Sequence, residues 1–156
     1  MASEEEESLN LLQRETSLSW AENRFSQLSA IANSPSHLLQ ISPASLAYLG
    51  DAVYELYIRT CYLLPPKRLK EYHCKVVHQV RAETQAAILR KLEPYITDSE
   101  LEILRRGRNA ATGSPRRLDP KIYQQASSLE TLIGYLYLTN PQRLTLLLAN
   151  LELDPN

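Results

Sequence analysis

Asp51, Glu55 and Arg59 are the only charged residues between Leu46 and Leu64, and they stand four apart within the apolar stretch PASLAYLGDAVYELYIRTCYLL. On a helix that spacing puts them in one line. A buried carboxylate is costly unless it is paired, hydrogen-bonded or bound to a metal. Glu55 and Arg59 satisfy each other as a ladder, which leaves Asp51 either bordering solvent or kept for a ligand. It follows Gly50, whose missing side chain lets another helix, backbone or ligand come close to that turn. Glu130 is the second candidate and the only acid between Lys121 and Thr139. It lies about 100° round a helix from Leu129, and Gly134 follows one turn later.

Between the two acids the chain turns basic. Arg105 to Lys121 holds six basic residues against Asp119 alone, in a stretch punctuated by Gly107, Gly113, Pro115 and Pro120. Arg105, Arg106, Arg108, Asn109, Arg116 and Arg117 suit phosphate oxygens, which guanidinium forks engage bidentately. The competing reading is a basic loop with no partner. Two carboxylates suit a hard cation such as Mg²⁺, which keeps several waters and needs few protein ligands when phosphate supplies the rest. A cation held in this way orients and ionises a water for in-line attack on a phosphodiester. Acids on neighbouring helices are also common without any such role.

The elements that must position these residues read as helices. Ser42 and Pro43 form a helix start, a hydroxyl N-cap followed by a residue that lacks only an N–H the first turn does not use. Leu49, Ala52, Val53, Leu56 and Tyr57 then give one apolar face, and Tyr48, Ile58 and Tyr62 make the other side apolar too. The expectation is a central helix buried on most of its circumference. Pro65 and Pro66 stop it, and a pair of helices follows, with Leu69, Tyr72, Val76, Val77 and Val80 on the first and Ala82, Ala86, Leu89 and Leu92 on the second. Thr97 to Glu100 has the form of a capping box, predicting a short helix from about Asp98 to Arg105 that empties into the basic loop. A long helix from near Lys121 packs through Leu129, Leu132, Ile133, Leu136 and Tyr137, and a last one through Leu144, Leu147, Leu148 and Leu151. No convincing alternating strand is present.

With 156 residues and 44% hydrophobic content, the chain fits one mainly helical domain of ordinary size. Cys61 and Cys74 suggest no disulfide framework, so a reducing, intracellular setting is the default. No apolar run reaches membrane-spanning length, the N-terminus lacks a signal-like segment, and no glycine-rich nucleotide motif follows a strand. The net charge of −1 conceals a polarity: residues 1 to 35 carry six Glu and two Arg. Glu4 to Glu7 is a solvated run, and Leu9, Leu12, Leu18, Trp20, Phe25, Leu28 and Ile31 give an irregular, partly helical or disordered appendage. The expected division is 1–35 for this appendage and 36–152 for the folded domain. His73 and His78, five apart, do not stack on one helix face.

The wording of the helices adds a resemblance. LAYLGDAVYELYIR resembles the signature helix of the ribonuclease III family and SSLETLIGYLYL its closing catalytic helix, with LEILRRGRN between them in the expected order. GDAVYE, RRGRNA and ETLIG are more similar still to the short bacterial form, Mini-ribonuclease III. The resemblance covers about Leu38 to Leu151 and implies an all-α ribonuclease III catalytic domain, a helical bundle acting as a symmetric homodimer. It implies a cytoplasmic endoribonuclease for structured double-stranded RNA, engaged in maturing the 23S ribosomal RNA precursor. Asp51 and Glu130 match the two acids that hold Mg²⁺, with Mn²⁺ able to substitute. Ala44, Ala47 and Ser127 stand where the long form has further acids, so one metal or two remain open. No double-stranded-RNA-binding domain follows Leu151, and the arginine segment is left to grip the duplex. Two rivals stand beside this reading: a non-catalytic RNA-binding module of the same fold associated with ribosome assembly, and a helical protein-interaction domain in which both acids are structural.

Overall fold

Ser42 and Pro43 start the central helix as predicted. The Ser42 hydroxyl accepts the Ser45 N–H at 3.1 Å, and the helix runs Pro43–Cys61. The structure, a computed structural model, describes residues 23–24, 26–28, 30–31 and 33–153. The chain divides into two units, Met1–Gln40 and Ile41–Asn156. In the first, Pro35–Gln40 forms α1, none of whose residues is buried. The Glu4 to Glu7 run and Leu9, Leu12, Leu18, Trp20 and Phe25 lie outside the described residues.

The second unit is a helical bundle: α2 (Pro43–Cys61), α3 (Leu69–Val80), α4 (Ala82–Leu92), a 3₁₀ turn at Glu93–Tyr95, α5 (Asp98–Ala110), α6 (Pro120–Thr139) and α7 (Pro141–Ala149). Among the described residues there is no strand. The predicted capping box is in place, and two further caps were not predicted. Thr97 and Glu100 form the reciprocal capping box of α5, and Asp119 and Asn140 cap α6 and α7 through the N–H groups of Lys121 and Arg143. Helix α6 is the axis of the packing, with Leu129, Leu132, Ile133 and Leu136 all buried among side chains of α2, α4, α5 and α7. Arg143 ties α7 to the start of α5 through Glu100, Nε to Oε1 at 2.7 Å, and that pair holds the Glu100 carboxyl below its usual range.

Two expectations are corrected. The buried line of α2 is Leu46, Gly50, Tyr54 and Ile58, continued by Tyr62, and not the stripe through Leu49, Ala52, Val53, Leu56 and Tyr57. Hydropathy gives Gly50 no weight, yet the backbone approach it permits decides which face turns inward. The opposite face stays open, with Tyr48 86% and Leu56 65% exposed, so the helix is not buried most of the way round. The second correction concerns α5. It does not end at Arg105 but continues to Ala110, because Ile103, Leu104 and Gly107 prolong its buried face along α6. Arg105, Arg106, Arg108 and Asn109 are therefore helical, and only Arg116 and Arg117 lie in a loop.

Candidate active site

Helices α2 and α6 cross with their backbones in contact. A Cβ on Gly50 would stand 1.8 Å from the Glu130 carbonyl oxygen, and one on Gly134 would stand 2.0 Å from the carbonyl oxygen of Leu46. Only two glycines facing each other in this way allow the approach. Asp51 follows the first glycine and Glu130 lies one turn before the second, so the crossing brings the two carboxyl groups together. Thr131 adds a clasp, its hydroxyl bonding the Ser127 carbonyl at 2.7 Å and lying 3.4 Å from that of Pro43. Gly107 does the same for α5, where a Cβ would meet the Thr131 hydroxyl at 2.5 Å. Its role is helix packing rather than an open path for a ligand.

Asp51 and Glu130 line one open cleft of about 350 Å³. Ala44, Ala47 and Ser127 line the same cleft and leave it roomy. The two carboxyls interact directly, Glu130 acting to lower Asp51 and Asp51 to raise Glu130. Burial, and then the Asp51 charge, push the Glu130 carboxyl up to about 7. Burial, and then the charge of Glu55, raise Asp51 as well. Two acids this close resist ionising together, and a cation between them removes that resistance. Among the described residues no group of three or more His, Cys, Asp or Glu is placed to hold a metal. The donor set is therefore two hard oxygen ligands in a cleft with room for water and phosphate, which fits Mg²⁺. Glu55 has the role expected of it, paired with Arg59 at 2.5 Å.

The raised Glu130 carboxyl has a consequence for stability. Below pH 4.5 the group is protonated in both the folded and the unfolded chain, and its contribution is fully present. As pH rises towards about 7 the unfolded chain releases a proton that the folded chain retains, so stability falls. The loss is about 2 kcal/mol once partial exposure is allowed for. Glu130→Gln should therefore melt with the wild type near pH 4.5 and be more stable by about that amount near pH 8 in chelator. Equal unfolding free energies for the two proteins at both pH values would refute the shift.

The predicted phosphate ligands separate into two groups. Arg105 is engaged by Glu102 through two bonds of 2.8 and 2.6 Å, and Arg106 is half-buried. Arg108, Asn109, Arg116 and Arg117 are exposed. They flank Ala110, Ala111 and Thr112, which form one wall of the acid cleft. Sequence reasoning missed Gln85, whose buried side-chain amide bonds the Val80 carbonyl at 3.0 Å and favours the charged form of the Glu130 carboxyl. The available signal was one amide at a core position of the Ala82, Ala86, Leu89 stripe.

A helical bundle with two acids at a glycine-mediated crossing and a basic flank agrees with the family match: residues 44–141 match the Ribonuclease III domain. The chain belongs to the ribonuclease III family and is an endoribonuclease. Among its relatives is a Mini-ribonuclease 3 of Synechocystis sp., 61% identical over 72% of this chain and 79% of the relative. The Mini-ribonuclease 3 of Gloeobacter violaceus is 48% identical over 73% of this chain and 84% of its own length. A crystal structure of a Fusobacterium nucleatum protein, 29% identical, superposes with a TM-score of 0.65 over 69% of this chain and 90% of that one.

Proposed function

We propose that this endoribonuclease cuts structured double-stranded RNA with Mg²⁺ held by Asp51 and Glu130, and that it matures the 23S ribosomal RNA precursor in the cytoplasm. The observation that carries the reading is the convergence of those two carboxyls in one open cleft beside an exposed basic segment. Mg²⁺ bound there supplies the charge that orients and ionises water and stabilises the leaving oxygen. The chain's own residues do the positioning. Gly50 and Gly134 fix the spacing of the acids, while Arg108, Asn109, Arg116 and Arg117, which flank the Ala110 to Thr112 wall along the chain, receive phosphates beside the cleft. Duplex RNA is recognised by shape, through phosphates and 2′-hydroxyls, so a mobile sequence-reading element is not needed. Arg105 and Arg106, engaged or half-buried, contribute less than the other four.

The enzyme acts as a homodimer on the open face of α2, where Tyr48 and Leu56 are exposed. Closed symmetric dimers are the commonest assemblies, and two copies of the site serve the two strands of a duplex. Leu56→Glu should give a monomer in sedimentation equilibrium. A dimer that persists in that variant would place the interface elsewhere. Replacing Arg116 and Arg117 together by Ala should lower the slope of log affinity against log salt by about two. An unchanged slope would remove both from the RNA contact.

The deciding experiment is incubation of the wild type with a long RNA duplex and with a stem of the large-subunit precursor, in Mg²⁺, in Mn²⁺ and in chelator. Cleavage of both strands in either metal but not in chelator is expected. Salt-dependent binding without cleavage in either metal would overturn the catalytic reading.

A further inference from the structure

Besides Asp51 and Glu130, the polar side chains that line the cleft are hydroxyls, those of Tyr48, Thr112, Tyr123, Ser127 and Thr131. No Lys, Arg or His lines it. Tyr123 and Ser127 share α6 with Glu130, seven and three residues before it, so all three lie along one side of that helix, Tyr123 about 10 Å up the axis. The other serine and threonine hydroxyls of α6 are occupied. Ser128 bonds the Gln125 carbonyl at 2.8 Å, Thr131 that of Ser127 at 2.7 Å and Thr139 that of Tyr135 at 2.8 Å. Tyr54, Tyr57 and Tyr72 likewise give their phenol protons to backbone carbonyls. The hydroxyls of Tyr123 and Ser127, both half-buried at the cleft, make no such bond among the described residues.

A cleft of about 350 Å³ is at the small end of ligand pockets and takes a sugar with its phosphate, not a duplex. With the phosphate drawn to a cation at the acid pair, the rest of the cleft receives the adjoining ribose. An uncharged wall of hydroxyls offers a phosphate no countercharge, whereas a 2′-hydroxyl both donates and accepts, as Tyr and Ser hydroxyls do. We propose that Tyr123 and Ser127 form a ribose subsite that bonds the 2′-hydroxyl next to the scissile phosphate and so selects RNA over DNA. The inference deepens the reading of Asp51 and Glu130 as the metal-holding pair and rests on it. Arginine contacts to phosphate serve RNA and DNA alike, and the 2′-hydroxyl is what tells them apart.

The test uses the full chain on an RNA duplex whose cut position is first mapped. Single 2′-deoxynucleotides are placed one at a time on both sides of the cut, and single-turnover cleavage is measured for the wild type, Tyr123→Phe, Ser127→Ala and Asp51→Asn, alongside thermal melting of each. One deoxy position is expected to slow the wild type about tenfold, the effect of roughly one lost hydrogen bond. Each hydroxyl variant is expected to cut the all-ribose duplex about tenfold more slowly and to lose nothing more on that deoxy duplex, the coupling that a shared bond produces. Deoxy penalties as large in both variants as in the wild type overturn the proposal and leave the acid pair in place, the hydroxyls then serving the phosphate or the fold. A wild type indifferent to every deoxy position overturns it as well. Failure to cut the all-ribose duplex in Mg²⁺ and in Mn²⁺, or a wild-type rate in Asp51→Asn, overturns the acid pair and the proposal with it. Unfolding of both hydroxyl variants would make these side chains structural, which also overturns it.

Discussion

Asp51→Asn is expected to leave a folded protein that still binds duplex RNA but cleaves it about a thousandfold more slowly. A metal that stabilises transition-state charge contributes several kcal/mol, and each 1.4 kcal/mol or so is a factor of ten in rate. Asn keeps the size of Asp and can still meet Glu130, so the crossing of α2 and α6 is undisturbed. Stability should hold or rise slightly, because Asp51 carries a charge disfavoured by burial and by Glu55. Single-turnover cleavage at saturating enzyme separates the chemical step from binding, and RNA affinity in chelator reports the basic segment alone. Cleavage at the wild-type rate by Asp51→Asn would end the assignment of this acid.

Gly50→Ala is expected to have the largest effect on folding. The added methyl would stand 1.8 Å from the Glu130 carbonyl oxygen and 2.8 Å from the Gly134 nitrogen, both backbone atoms that no rotamer change can move. Overpacking of this kind costs about 3 kcal/mol, and the melting temperature should fall by about 10 °C. Activity should fall as well, because the helices must separate at the residue that carries the second acid. Gly113→Ala is the control. Its φ of +76° disfavours a side chain, but nothing lies within 4 Å of the added methyl. That change should cost only about 1 kcal/mol and spare cleavage. If Gly50→Ala were as mild as Gly113→Ala, the backbone contact would not be what holds the site together.

Much of the framework was legible in the residues. Ser42 and Thr97 stand at helix starts whose caps are local chemistry, and Leu129 to Leu136 follow a periodicity that packing simply executes. The inward face of α2 was not legible. Leu49, Leu56 and Tyr57 outweigh Gly50 on any hydropathy measure, while the contact that orients the helix is made by the absence of a side chain. The basic segment was misread for a related reason. Gly107 looks like a helix breaker, yet it prolongs α5 by letting that helix close on Thr131. Gln85 escaped notice because Glu130, whose charged form it favours, lies on a different helix far along the chain.

The glycine crossing also separates what evolution can discard from what it must retain. Burial and neighbouring charge disfavour the ionised forms of Asp51 and Glu130, so a descendant released from the cleavage proposed for them would shed them readily and gain stability in doing so. Gly50 and Gly134 have no such freedom, since the bundle is assembled through them whether or not any chemistry takes place. A chain that keeps both glycines and loses both acids should then be recognisable as a retired nuclease: an intact scaffold for holding RNA, still marked by the place where it once cut.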